Sequence, residues 1–231
     1  MDRALVVMAK EPHPGQTKTR LCPPLSGQEA AELYRSLLLD TLELMQRVAC
    51  TQPIIAYSPY EAEPFFRRFA PPGFEFIPQV GGDLGTLLDN VLTHYLQKGY
   101  RQVAVVDSDS PTLPDMYLER AFRELDAPDV DVVLGPADDG GYYLIGLKAP
   151  CPALFHGIAM STSTVTEETL ERAQGQSLRV SCLPCWYDVD TCDDLDRLIE
   201  ELSSQDESLA SNTRRFLMET GRMPVGPPST A

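Results

Sequence analysis

Hydrophobic and polar positions alternate in two ways along the first half of the chain. Short apolar runs rich in β-branched residues, which are typical of buried strands, occupy residues 4–8, 53–57, 74–77, 103–107 and 130–134. Apolar side chains at helical spacing, which predict amphipathic helices, occupy residues 28–48, 61–69, 86–98 and 116–125. Strands that alternate with helices predict a mainly parallel sheet with helices on both faces.

The pattern changes in the second half. Residues 132–135 and 141–146 are strand-like but are joined by too few residues for a parallel crossover, so we expect them to pair antiparallel or to lie in different sheets. Further helical patterns occupy residues 163–173, 192–202 and 208–218. We therefore predict one α/β domain over residues 1–222, with a mixed, mostly parallel sheet, and a flexible Pro- and Gly-rich tail over residues 223–231.

Composition narrows the classes of partner. The chain has 19 Lys and Arg against 34 Asp and Glu, a formal charge of −15, which repels nucleic acid and anionic membranes. No apolar run approaches the ~20 residues of a membrane span, and the first residues lack the basic flank and cleavage site of a signal peptide. We expect a cytoplasmic protein that binds small molecules, with no nucleic-acid partner and no membrane span.

Two acids follow the predicted strand at residues 103–107, namely Asp107 and Asp109. In open α/β sheets ligands bind beyond the carboxyl ends of the strands, and Mg²⁺ favours one or two carboxylates together with substrate phosphate oxygens. We therefore predict a Mg²⁺ or Mn²⁺ site here. In the alternative interpretation, Asp109 or Ser110 caps the helix that follows Pro114.

The loop after the first strand concentrates positive charge in an otherwise acidic chain. It contains Ala9, Lys10, Gly15, Lys18 and Arg20. Lys and Arg hold phosphate oxygens, and glycine allows the backbone to approach a ligand, so we predict a nucleotide-phosphate cradle. The spacing is not that of a Walker A loop, and no G-x-G-x-x-G follows the strand. A solvated basic surface is the alternative.

Two further Gly-rich segments are candidates. Gly82 and Asp83 lie between a predicted strand and a helix, where they predict contact with a sugar or planar group; a turn with a helix cap is the alternative. Asp138 and Asp139 precede two glycines in the short connection between predicted strands. One of these carboxylates is placed to orient or deprotonate an acceptor hydroxyl, whereas an ordinary hairpin turn is the alternative.

Several motifs resemble the DUF2064 family of glycosyltransferase A-like proteins, which is similar to nucleotide-diphospho-sugar transferases and, more distantly, to molybdopterin and phospholactate guanylyltransferases. The resemblance spans nearly the whole chain and rests on Lys10-Glu-Pro12 through Gly15, Lys18-Thr-Arg20-Leu21, Gly82-Asp-Leu-Gly85, Ser108-Asp109-Ser-Pro111, Gly135-Pro-Ala, Asp139-Gly-Gly-Tyr-Tyr-Leu-Ile-Gly-Leu147, Phe155, Ser161-Thr162 and Asp188-Val-Asp190-Thr191. It implies a single GT-A-type domain whose N-terminal loop holds the nucleotide phosphates and whose Asp109 stands at the metal-binding position. Asp107 and Met160 depart from the family pattern, which usually has a small residue and Trp there.

Three functions are compatible with these motifs. The first is a metal-dependent glycosyltransferase that uses a nucleotide-diphosphate sugar and a small-molecule acceptor. The second is a nucleotidyltransferase that couples a nucleoside triphosphate to a phosphorylated acceptor and recruits Asp190 as a second metal ligand, although Asp190 is equally placed to cap the helix from Cys192. The third is a non-catalytic nucleotide-binding protein on the same scaffold.

Overall fold

The computed structural model describes residues 2–160 and 162–224. Its strands are β1 (Arg3–Lys10), β2 (Thr51–Ser58), β3 (Glu75–Pro78), β4 (Gln102–Val106), β5 (Val132–Pro136), β6 (Tyr142–Leu147) and β7 (Val180–Cys182). Its helices are α1 (Gly27–Arg47), α2 (Glu63–Phe69), α3 (Leu84–Gln97), α4 (Asp115–Asp126), α5 (Val165–Gly175), α6 (Cys192–Ser204) and α7 (Ser211–Glu219). Short 3-10 turns lie at Thr19–Leu21, Tyr60–Ala62 and Pro152–Leu154.

Within the described ranges the strands form one seven-stranded sheet in the order β3-β2-β1-β4-β6-β5-β7. Strand β6 is antiparallel to both of its neighbours and every other pair is parallel. The predicted mixed, mostly parallel sheet is confirmed, as is the antiparallel pairing of β5 with β6. From β1 the chain adds β2 and β3 on one side of the sheet and then crosses to the other side to form β4. The strand order therefore reverses between β1 and β4, and such topological switch points are where these sheets bind ligands.

Alternation along β1 explains why helices cover both faces. Leu5 and Val7 pack on one side in a core cluster that includes residues of α1, α2 and α4. Ala4 and Val6 pack on the other side with residues of α3 and α5. Because both faces are covered, the strand consists of apolar residues without the polar alternation of a half-exposed strand.

A further apolar cluster joins α1, α6 and α7 beside the sheet. Helix α1 begins with a capping box, in which the Ser26 side chain accepts from the Glu29 amide and the Glu29 carboxylate accepts from the Ser26 amide. In the middle of α1, the buried Asp40 carboxylate accepts from the backbone amides of Asn212 and Thr213 at 3.0 and 2.8 Å. The Asp40 side chain of α1 thus accepts hydrogen bonds from amides in the first turn of α7, which have no acceptor within that helix.

The structure departs from the predicted elements at several boundaries. Strand β7 was not predicted, because its three residues are too short to show a periodic pattern. Helix α7 begins at Ser211 rather than at residue 208, since Ala210 takes a left-handed conformation. Met223, placed in the predicted tail, is buried in the α1, α6 and α7 cluster, whereas residues 225–231 lie outside the described residues. Along the described chain, no helix is long and apolar enough to cross a membrane.

Candidate active site

The loops that carry most of the candidate residues meet at one edge of the sheet. The carboxyl ends of β1, β4, β5 and β7 lie at this edge because the strands are mutually parallel, and the antiparallel β6 begins there. These loops supply Lys18, Asp109, Asp139 and Asp190, respectively. Residues from four distant parts of the chain are thus placed around one crevice.

Three carboxylates form an acidic triad at this edge, namely Asp109, Asp188 and Asp190. One oxygen from each lies within 4.8 Å of the corresponding oxygens of the other two. The backbone amide of Val189 donates to the carbonyl of Asp109 at 3.1 Å, which holds the segment after β7 against the segment after β4. A set of oxygen ligands suits Mg²⁺ or Mn²⁺, so these residues fit the predicted ion.

Lys18 bridges two members of the triad. Its ammonium donates hydrogen bonds to the carboxylates of Asp109 and Asp190, and only 7% of its side chain is exposed. Burial lowers the pKa of Lys18, but the two carboxylates outweigh that effect and raise it above its usual value. Arg20 lies 3.4 Å from the other oxygen of Asp190 and is largely exposed. The predicted phosphate-binding cations are therefore in contact with predicted metal ligands.

Asp188 was missing from the predicted site. Burial, together with the negative charges of Asp109 and Asp190, raises its pKa to about 7. The sequence signals were its place in the motif Asp188-Val-Asp190-Thr191 and its position two residues before Asp190, after a strand too short to recognise. Its place beside Asp109 depends on the pairing of β5 with β7, which the pattern of the chain does not reveal.

Asp107 lies next to the triad but outside it. The hydroxyl of Ser110 lies 2.6 Å from Asp107 Oδ2 and 2.8 Å from the carbonyl oxygen of Tyr187. Burial raises the pKa of Asp107 well above its ordinary value, and the charges of Asp109 and Asp188 add to the effect. Asp107 is not among the carboxylates whose oxygens approach one another within 4.8 Å, so a metal role for Asp107 stays a prediction.

Tyr34 of α1 connects the two strands that flank the switch point. Its buried hydroxyl accepts from the backbone amide of Lys10 at 3.2 Å and lies 3.0 Å from the hydroxyl of Ser108. The basic loop after β1 and the acidic segment after β4 are thus tied to the same side chain. Sequence reasoning placed no functional weight on Tyr34, because its helical spacing marked it only as part of α1.

A cavity of about 740 Å³ opens beside the triad. Its described lining comprises Arg20, Leu84, Leu88, Asp107, Ala137, Asp138, Asp139, Gly141, Tyr142, Met160, Thr162, Ser163, Val165, Asp188, Asp190, Thr191 and Asp194. A second cavity of about 180 Å³ shares Leu84, Leu88, Asp107 and Tyr142 with the first and is mostly apolar. The two cavities adjoin, so the edge of the sheet has room for a ligand with a polar part and an apolar part.

The second predicted acid pair lines the large cavity from the turn between β5 and β6. The Asp138 carboxylate is paired with the guanidinium of Arg197, whereas Asp139 Oδ1 accepts from the amide of Gly141 at 2.8 Å. Asp139 therefore carries no cationic partner among the described residues. Both acids project from a hairpin turn, as the flanking glycines predicted.

The remaining nucleotide-binding candidates are absent from the described lining of the cavities. Among the described lining residues of either cavity, none is Ala9, Lys10, Gly15, Gly82 or Asp83. The carbonyl of Ala9 accepts from the Gln79 side chain at 3.2 Å, and Gly15 has a φ of +73°, so both are engaged in shaping the loops. Their contact with a nucleotide stays a prediction.

The three helix-cap alternatives have different outcomes. Asp83 does cap α3, since its carboxylate accepts from the amide of Thr86 at 2.8 Å. The alternative for Asp109 is wrong, because α4 begins after Pro114 without a side-chain cap. The alternative for Asp190 is also wrong, because Thr191 caps α6. The carboxylates of Asp109 and Asp190 are instead occupied by Lys18.

Solved structures with the same architecture define the class of fold. A Desulfovibrio desulfuricans protein, described provisionally as a nucleotide-diphospho-sugar transferase, is 32% identical, with 95% of each chain covered and a TM-score of 0.88. A cytidylyltransferase from Leptospira borgpetersenii is 10% identical, covering 96% of this chain and 95% of its own, with a TM-score of 0.56. A Mycobacterium tuberculosis protein in complex with manganese is 16% identical, with 87% of this chain and 99% of that protein covered and a TM-score of 0.52.

The fold is therefore that of the nucleotide-diphospho-sugar transferases. The model of the family described as "Uncharacterized protein conserved in bacteria (DUF2064)" matches residues 41–162, and the chain belongs to this family. No curated protein matches the sequence. The resemblance inferred from the motifs is confirmed.

Proposed function

We propose that the protein is a metal-dependent glycosyltransferase that uses a nucleotide-diphosphate sugar. The observation that carries the proposal is the contact of Lys18 with Asp109 and with Asp190, the latter a lining residue of the large cavity. A cation that holds phosphate oxygens and carboxylates that hold a divalent ion are the two halves of a diphosphate site. The 32% identical relative described as a sugar-nucleotide transferase supports the same class of donor.

Each residue has a stated task in this proposal. Lys18 and Arg20 bind the diphosphate, while Asp109, Asp188 and Asp190 hold Mg²⁺ or Mn²⁺. The ion, when bound, supplies positive charge where the diphosphate leaves. The predicted nucleotide-binding residues Ala9, Lys10, Gly15, Gly82 and Asp83 contact the rest of the nucleotide from outside the described lining of the cavities.

The transfer step makes one bond and breaks one. The acceptor oxygen forms a bond to the anomeric carbon of the sugar, and the bond from that carbon to the diphosphate oxygen breaks. The electron pair of the broken bond leaves with the nucleoside diphosphate. The carboxylate of Asp139 takes the hydroxyl proton, since it lines the cavity without a cationic partner among the described residues.

A nucleotidyltransferase is the second candidate function. The observation in its favour is that Asp190 does not cap α6 but lies in the triad, as a second acidic ligand requires. In that reaction an oxygen of a phosphorylated acceptor attacks the α-phosphorus of a nucleoside triphosphate, and pyrophosphate leaves with the electron pair.

A thermal-shift panel tests both candidates. Nucleoside diphosphates, triphosphates and sugar nucleotides are each added with Mn²⁺, with Mg²⁺ or with chelator, because a ligand that binds the folded chain raises its melting temperature. A metal-dependent rise with one diphosphate and its sugar conjugate supports the glycosyltransferase. A rise with triphosphates alone favours the nucleotidyltransferase, and no rise with any nucleotide contradicts both enzymes.

Matched variants locate the effect. Asp109→Asn should abolish the metal-dependent rise while leaving the ligand-free protein folded. Asp115→Asn, which changes an exposed acid at the start of α4, should keep the full rise. If Asp109→Asn retains the rise, Asp109 is not a metal ligand.

A further inference from the structure

The large cavity has a strongly asymmetric charge. Its described lining contains a single cationic side chain, that of Arg20. The lining acids are Asp107, Asp138, Asp139, Asp188, Asp190 and Asp194. Even with Asp107 and Asp188 both protonated, the remaining acids outnumber the one guanidinium by three.

Neighbouring cations reduce this charge only in part. Lys18 contacts Asp190 and Arg197 contacts Asp138 from outside the lining. The guanidinium of Arg197 also lies over the ring of Tyr187, 3.8 Å from the ring centroid. One oxygen of Asp139 and one of Asp194 accept from backbone amides, and these neutral donors leave the charge of both carboxylates in place.

Two buried polar atoms at the junction of the cavities have no partner. Asp107 Oδ1 and the hydroxyl of Tyr142 are both buried, and neither makes a hydrogen bond within the described chain. Both residues line both cavities. Unpaired buried polar atoms are costly, so these two atoms indicate a place where a ligand with hydrogen-bonding groups completes the site.

We propose that the acceptor enters this cavity as an uncharged or cationic molecule that bears hydroxyl or amino groups, and that phosphorylated acceptors are excluded. This proposal rests on the proposed glycosyltransferase function, in which the diphosphate is held at the triad and the acceptor in the cavity. Hydroxyl and ammonium groups donate to the lining carboxylates, whereas a phosphate group brings further negative charge against them and finds only Arg20 as a cationic partner in the described lining.

The charge of the cavity can be measured without knowing the acceptor. Ser163 is exposed and lines the cavity, so Ser163→Cys places a thiol there. Two thiosulfonate reagents of similar size, one ending in trimethylammonium and the other in sulfonate, modify this thiol at rates that report the local potential. The native Cys50 is exposed between α1 and β2 and serves as the reference thiol on the same molecule.

Rates are read by peptide mass spectrometry at low salt, in the ligand-free chain and with Mn²⁺ plus UDP or GDP. We expect the cation-to-anion rate ratio at the introduced thiol to exceed that at Cys50 by about tenfold, because screening is weak over the width of such a cavity. If the cation-to-anion rate ratio at the introduced thiol is less than three times the ratio at Cys50 in either condition, the proposal is overturned. Thr162→Cys repeats the measurement from a second lining position.

Two further variants identify the source of the charge. Asp139→Asn, added to Ser163→Cys, should lower the ratio, whereas Asp115→Asn should leave it unchanged. Equal effects of the two variants contradict the assignment to the lining acids. The measurement is independent of the nucleotide panel, so a chain that binds no nucleotide but keeps a high ratio contradicts the proposed function while retaining the charge preference of the cavity.

Discussion

The ammonium of Lys18 donates a hydrogen bond to the carboxylate of Asp190, 172 residues further along the chain. It also contacts Asp109, so one cation balances two members of the acidic triad. In the proposed function, a divalent ion that binds the same carboxylates would compete with this ammonium, and a diphosphate that arrives with the ion would offer the lysine new oxygen partners. We therefore expect Lys18 to link metal binding to phosphate binding.

Replacement of this lysine separates the two binding events. Lys18→Met should tighten the binding of Mn²⁺ alone by about tenfold, because the competing ammonium is gone. It should weaken the binding of a nucleoside diphosphate in the presence of Mn²⁺ by a similar factor, since a phosphate ligand is lost. Electron paramagnetic resonance of free Mn²⁺ and calorimetric titration of the nucleotide measure the two effects.

Stability provides a third observable for the same variant. Removing one partner of a largely buried ion pair costs about 3 kcal/mol, so ligand-free Lys18→Met should unfold at lower urea concentration. Lys98→Met, which removes an exposed ion pair with Glu75, should change neither affinity. Unchanged or weaker Mn²⁺ binding in Lys18→Met would show that the ammonium does not compete with the ion.

The triad also predicts a pH dependence through Asp188. Its pKa of about 7 in the folded chain exceeds the ~3.9 of an unfolded chain, so the folded state holds the proton more tightly. The resulting stabilisation is present in acid and is lost as pH rises from about 4 to about 7. Asp188→Asn removes the titrating group, so the stability of the variant relative to the parent protein should increase as pH rises through that range.

We expect the gain of Asp188→Asn at pH 8 to be about 2 kcal/mol, after an allowance for partial solvent exposure. The two proteins should unfold alike near pH 4 in chelator, and Mn²⁺ should bind the variant more weakly at pH 8. Urea unfolding at both pH values measures the difference. For the control Asp115→Asn, the difference in unfolding free energy from the parent protein should be the same at both pH values. If the difference for Asp188→Asn is also independent of pH, the raised pKa of Asp188 is contradicted.

The accuracy of the sequence-based predictions follows from the range of the interactions. Strand β1 is a run of apolar residues that alternate between two core clusters, so a local pattern was enough to predict it. The short connection before β6 excluded a parallel pair with β5 and left either an antiparallel pair or separate sheets; the antiparallel pair is observed. The triad depends instead on β7, a strand of three residues, and on its pairing with β5. No local pattern therefore placed Asp188 beside Asp109, and none indicated the contact of Lys18 with Asp190.

The two acids of the hairpin turn should differ in their effect on transfer. Asp139→Asn removes the proton acceptor but keeps an oxygen for the Gly141 amide, so the transfer rate should fall about 10²-fold while the donor affinity is unchanged. The transfer rate of Asp138→Asn should fall less than tenfold, because the Asp138 carboxylate is paired with Arg197. Single-turnover rates and donor titrations separate the two effects; equal losses in both variants would contradict the role of Asp139 as base.

The turn between β5 and β6 packs closely on the segment before α5 at Gly140. A substitution at this glycine therefore tests how rigidly the two segments form the wall of the large cavity. Gly140 has a φ of +92°, and a Cβ there would lie 1.9 Å from the carbonyl oxygen of Ser163. The carbonyl of Gly140 also accepts from the amide of Thr166 at 3.0 Å. Gly140→Ala must therefore displace backbone as well as strain a left-handed residue.

Gly99 provides the matched control, because it has a φ of +106° and open space where a Cβ would lie. Gly99→Ala should cost about 1 kcal/mol from backbone strain alone, whereas Gly140→Ala should cost at least about 2 kcal/mol more. Urea unfolding measures both. Once Gly140→Ala is folded, the displaced wall should weaken acceptor binding more than donor binding, since the diphosphate residues lie on other loops. Equal stability losses in the two variants would show that the turn moves away from Ser163 without cost.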